Sequence, residues 1–91
     1  METKRAVVSV VGKDQIGIIS HVTTVLANNK VNILDISQTI LQDFFTMMMI
    51  VDVTNISSLE DLQAQLDEVG KKLALTIHVQ MEEIFRSMHR I

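Results

Sequence analysis

Two hydrophobic periods alternate along these 91 residues, and their order limits the fold more than any other feature. Residues 5 to 11, RAVVSVV, are β-branched and apolar on both faces, which suits a central strand. From Ile18 the apolar residues fall at 18, 19, 22, 25 and 26, the stripe of a helix that Asn28, Asn29 and Lys30 end. In residues 31 to 41, Leu34, Ile36 and Ile40 alternate with Asp35, Ser37 and Thr39, as in a strand. Gln42 and Asp43 mark a turn. FFTMMMIVDV then returns as a strand apolar on both faces, and the short link predicts a hairpin. Ser57 and Glu60 match the S-x-x-E capping box. Leu59, Leu62, Leu66, Val69 and Leu73 follow at helical spacings, and Lys71 and Lys72 favour a helix end. LALTIHVQM is the most regular strand, with Leu73, Leu75, Ile77, Val79 and Met81 on one face. The last segment, EEIFRSMHRI, patterns as a helix with Ile84, Phe85, Met88 and Ile91 on one side.

The order β-α-β-β-α-β with right-handed crossovers predicts an α+β, ferredoxin-like sandwich. It has a four-stranded antiparallel sheet, two helices on one face, and a short helical tail. One domain is expected over residues 1–81, with an amphipathic tail over 82–91. Leu26, Leu66 and Ile77 are expected in the core. Thr46, Met48 and Ile50 are expected on the open sheet face, where an apolar patch marks an interface. The tail could cover that patch, in its own subunit or in a partner's.

Composition excludes several chemistries. There is no cysteine, so disulfides, thiolate metal sites and thiol catalysis are out. A net charge of −3 argues against nucleic acid. The longest apolar run, Met47 to Val51, is far below the roughly 20 residues of a membrane span. METKR is too polar to begin a signal peptide's apolar region. A soluble cytoplasmic protein that binds neither nucleic acid nor membrane is expected.

The fold itself names no function. RNA-recognition modules stack bases on aromatics of both central strands, and VVSVV has none. Metal-carrier versions need C-x-x-C. Acylphosphatase-like enzymes need an Arg beside a glycine-rich loop, and GKDQIG offers only Lys13. His21, His78 and His89 show no metal-ligand spacing and read as ordinary histidines. Ser20 and His21 are neighbours on a helix, about 100° apart, and cannot form a nucleophile–base pair. Glu60-Asp61, Asp67-Glu68 and Glu82-Glu83 read as solvated helix faces. In Met47-Met48-Met49, alternation turns Met48 away from its neighbours, so the three cannot share one ion. No catalytic constellation, cofactor site or metal site is expected.

Gly12 and Gly17 bracket four residues, the opening spacing of a phosphate-binding P-loop, but Ile18 and Ile19 stand where that loop needs Lys and Ser or Thr. The loop leads from a strand into a helix N-terminus, whose free N–H groups suit a small carboxylate. Gly17 would let a ligand or another backbone come close. Asp14 could cap the helix or face an ammonium group, and Ile16 and Ile18 could supply apolar walls. A tight turn and helix cap without a ligand is the other reading.

VVGKDQIGIISHVTTVLANNKVNILDISQTI followed by FFTMMMIVDV resembles an ACT domain, over about residues 4 to 80. Gly12, Asp14, Gly17 and Ile18-Ile19 match the family's G-x-D-x-x-G-hydrophobic loop, and Asn32-Ile33 its Asn-Ile. DISQT with FTMMM is similar to the stand-alone, single-domain proteins of bacteria and archaea. The resemblance implies a regulatory module that pairs and binds an amino acid near the subunit interface. By position it points to Asp14, Gln15, Ile16, Gly17 and Ile18, with Asn32 and Ile33 on the facing strand. Neither the enzyme nor the DNA-binding domain that often accompanies such modules is visible. The expectation is a free-standing homodimeric sensor that docks on a regulated protein, in the manner of ACT-type regulators of glycine cleavage. Some family members only dimerise, which leaves a pure interaction module as the alternative.

Overall fold

A computed structural model describes residues 4–84. The elements are β1 (Arg5–Lys13), α1 (Ile18–Asn28), β2 (Asn32–Leu41), β3 (Phe44–Asp52), α2 (Leu59–Leu73) and β4 (Leu75–Met81). The strands form one antiparallel sheet in the order β2-β3-β1-β4. The two strands that are apolar on both faces, β1 and β3, are the central ones. This is the βαββαβ ferredoxin-like fold, with both helices on one sheet face. Glu82–Ile84 begin a helical turn, and the remainder of the expected tail lies outside the described residues.

The core lies between sheet and helices. Ala6, Val8 and Val10 of β1, Phe45, Met47, Met49 and Val51 of β3, and Leu75, Ile77 and Val79 of β4 meet Ile18, Val22 and Leu26 of α1 and Leu62, Leu66 and Val69 of α2. Leu26 and Leu66 are wholly buried and Ile77 nearly so. Each such side chain contributes about 1.5–3 kcal/mol by leaving water. Strand alternation splits the methionine run: Met47 and Met49 are in the core while Met48 is exposed on the open face beside Thr46. Ile50, on that face too, is half-buried.

Two local expectations shift. Ser58, not Ser57, caps α2: its Oγ accepts the Asp61 N–H at 3.2 Å. Ile56 N–H bonds the Val53 carbonyl and closes a turn that leaves Ser57 in the loop. Leu73 belongs to α2 rather than to the last strand, because Ala74 adopts a left-handed conformation (φ 57°) and reverses the chain into β4. In β2, Leu34, Ile36 and Ile40 lie outside the core. They are 45%, 45% and 51% exposed, since β2 is an edge strand that the helices do not reach. Leu34 sits at a bulge between the Ile33 and Asp35 pairings. No described helix is long and apolar enough to cross a membrane.

Candidate functional site

Gly12 and Gly17 do not bracket one loop. Gly12 lies inside β1, paired with Phe45 on one side and Leu75 on the other. The loop proper is 14–17, between Lys13 and Ile18. Gly17 is the N-cap residue of α1 with φ 95°, a left-handed conformation that L side chains rarely adopt. No side chain caps α1, so the expected cap by Asp14 is not made. Asp14 is exposed, and its main-chain N–H donates to the Asp43 carbonyl at 2.7 Å. That bond ties the loop to the β2–β3 turn and leaves the Asp14 carboxylate facing solvent.

The rest of the loop divides by role. Gln15 turns back: its Nε2 donates to the Leu73 carbonyl at 2.6 Å, satisfying an end group of α2. Ile16 is fully exposed, whereas Ile18 is 2% exposed and packs in the core. Ile16 is therefore available as an apolar wall, and Ile18 offers only its main chain. The Gly17 carbonyl accepts the His21 main-chain N–H at 3.0 Å and lies 2.7 Å from His21 Nδ1. His21 thus reads as a brace for the glycine turn, a role that the i, i+4 spacing carries but that its position beside the apolar stripe did not suggest.

Asn32 and Ile33 lie elsewhere. Asn32 pairs with Asp52, which pairs with Arg5; Leu41 pairs with Phe44, which pairs with Lys13. Asn32 is level with the start of β1 and the loop follows its end. Along the strand the separation is about 26 Å, from a rise near 3.3 Å per residue. Within one chain the candidate residues fall into two groups, one at each end of the sheet. Asn32 and Ile33 line an open cleft of about 410 Å³ with Thr24, Leu26 and Val31. A larger open cleft, about 660 Å³, runs between the helices beside His21, Val25 and Val69, and includes no residue of the loop. Ile36 and Ile40 form an exposed apolar strip along β2; their alternation shows which face they share but not that it is uncovered.

One described carboxyl is clearly shifted. Both the hydroxyl and the main-chain N–H of Thr54 donate to Asp52 Oδ1, at 2.6 and 2.9 Å, and hold the acid below its ordinary value. This group turns the chain after β3. Among the described residues no group of three or more His, Asp or Glu is placed to hold a metal ion.

A family model described as ACT domain matches residues 4–80. A UPF0237 protein of Clostridium acetobutylicum is 49% identical over 88 residues, covering 96% of this chain and 99% of that protein. The solved structure of an ACT domain protein from Streptococcus pneumoniae superposes with a TM-score of 0.80 at 36% identity, covering 92% of this chain and 96% of that one. A putative glycine cleavage system transcriptional repressor shares the fold at 21% identity and a TM-score of 0.74; the match covers 89% of this chain and 47% of the repressor.

Proposed function

The chain belongs to the ACT domain family, and on that premise we propose that it is a free-standing cytoplasmic sensor whose amino-acid site is completed between two copies. The family's domains are regulatory modules that generally bind small molecules. The observation that carries the reading is the division of the candidate residues between the two ends of the β2 edge. A two-fold axis at that edge pairs β2 antiparallel with its copy. Antiparallel pairing sets Asn32 of one chain beside the Leu41 end of the other. The 14–18 loop leans toward that end, through its bond to Asp43. Asn32 and Ile33 of one copy would then face Asp14, Ile16 and Gly17 of the other.

Such a site suits an amino acid in three respects. The first N–H groups of α1 suit its carboxylate. The Asp14 carboxylate suits its ammonium group, and Ile16 with Ile33 of the second copy suits a side chain. Gln15 acts by holding the loop rather than by touching the ligand. No step of catalysis is assigned to the chain. A protein partner that reads the bound state completes the regulatory role.

The test is thermal unfolding against the common amino acids, with wild type, Asp14→Asn and Asn32→Ala. Both substituted positions are exposed, so unliganded stability should hold. A ligand at 100 times its Kd adds about 2.7 kcal/mol, a rise of roughly 10 °C for a domain this small. The expected result is such a rise with one or two amino acids, lost in both variants. A rise that survives both variants would contradict this site. A Gly17→Val change would not discriminate, because at φ 95° it strains the turn with or without a ligand.

One observation favours the alternative, a ligand-free interaction module. Leu41, Phe44 and Met48 are 73%, 55% and 37% exposed, and the β2–β3 pairing sets Leu41 beside Phe44 on the open face that Met48 shares. No shift with any amino acid, together with a mass of two chains, would select that reading.

A further inference from the structure

The two edges of the sheet are not equivalent, and one side chain of α2 makes much of the difference. β4 forms one edge. Gln63 Nε2 donates to the Ile77 carbonyl at 2.8 Å, and Gln63 Oε1 accepts the Val79 N–H at 2.9 Å. The side-chain amide thus sits where the N–H and C=O of a neighbouring strand would sit. Asp67 Oδ1 accepts from the same Nε2 at 2.8 Å and holds the amide in place. Two turns further along, α2 closes on the same strand: a Cβ on Gly70 would stand 2.6 Å from the Leu75 carbonyl oxygen, so glycine is what lets the helix lie so close.

β2, the other edge, has none of this cover. It runs for 10 residues, and every residue from Leu34 to Leu41 is exposed. Edges are usually blunted by lysine, proline, inward charge or a covering element. β2 contains no lysine or proline and a single charged residue, Asp35. Asp35 Oδ1 takes the Ile36 N–H at 2.9 Å, next to the bulge, which leaves the stretch from Ser37 to Leu41 as the open part.

We infer that Gln63 closes the β4 edge to strand addition, so that β2 is the edge at which this protein accepts a strand, that of a second copy, and assembly stops at the pair. The choice of a second copy rests on the paired reading above; the closure of β4 does not. β2 suits its own copy. Antiparallel pairing about the middle of the strand sets Asp35 against the uncharged Gln38, so no like charges lie directly opposite. It also brings the exposed Ile36 and Ile40 of both copies onto one side of a continuous sheet. With β4 closed, the isologous contact uses up the one open edge among the described residues, so the sheet offers none to propagate a filament.

The experiment measures mass in solution by light scattering across a hundredfold range of protein concentration, for wild type, Gln63→Ala and Gln63→Lys. Alanine removes the amide and suits a helix. Lysine removes it too but places a charge at the opened edge, which itself blocks pairing. The wild type should hold at two chains, Gln63→Ala should grow beyond two with concentration, and Gln63→Lys should stay at two. A folded Gln63→Ala that keeps the wild-type mass would overturn the inference. Growth of Gln63→Lys equal to that of Gln63→Ala would also overturn it, since loosening rather than an open edge would then be the cause. Failure of both variants to fold would do the same, because the amide would then hold the domain together rather than limit its assembly. A wild type of one chain would overturn the β2 half and the paired reading with it. Growth of Gln63→Ala above that wild-type mass would still support the closure of β4.

Discussion

Ile16 and Ile18 are two positions apart and do opposite things. One is fully exposed at the tip of a loop, and the other is locked in the core. Both are isoleucine, so hydrophobicity could not separate them; the left-handed turn at Gly17 between them does. The same holds for the polar residues. Asp14 and Gln15 both looked like ligand contacts, but Gln15 spends its amide on the end of α2 while Asp14 keeps its carboxylate free of the helix cap. Hydrogen bonds between residues 58 apart in sequence leave no trace in local pattern. At this scale the Asp52–Thr54 contact predicts a pH effect. The Asp52 carboxyl is held below its ordinary value in the folded chain, first by the Thr54 hydroxyl and then by its N–H. A depressed acid contributes stability above its unfolded-state value, about 4, and loses it as pH falls through its folded value. Thr54→Val removes the larger cause. Melting curves from pH 7 down to pH 3 should show the wild type more stable near neutral pH, with the difference shrinking at the acid end. A difference that stays constant with pH would mean that only the Lys4 N–H bond to the Thr54 hydroxyl had been lost.

Elements were far more legible than side-chain roles. All six elements follow from period and punctuation, because burial against one core imposes alternation on strands and a stripe on helices. The misreadings lie at ends. Ser57 and Ser58 each precede an acidic residue by three, and pattern cannot choose between them; a turn closed upstream chooses Ser58. Ser58→Ala should cost about 0.5–2 kcal/mol in denaturant unfolding, as for other N-caps, and Ser57→Ala almost nothing. Equal costs would place the cap back at Ser57. β2 shows what period leaves out. Its alternation is as clean as a core strand's, yet its isoleucines are half exposed. Period reports that one side is apolar. It does not report that two helices across four strands leave an edge uncovered.

For the whole molecule, the consequence of that edge is the division of the site. The fold sets the candidate loop and the Asn32-Ile33 pair at opposite ends of one sheet. In the proposed account a pair across β2 brings the two together, and Gln63 on the far edge keeps that pair from growing. The test that bears most directly on this account mixes two defective chains. Asp14→Asn lacks the loop half and Asn32→Ala lacks the strand half, so each variant alone should show no ligand-induced rise in melting temperature. After unfolding and refolding together, half of the pairs are mixed, and each mixed pair contains one site with both halves intact. Binding stoichiometry should recover to about a quarter of wild type, as expected for random pairing across a two-fold axis. No recovery from chains that fold and exchange would mean that both halves act within one chain or that the site lies elsewhere, and the central claim would fall.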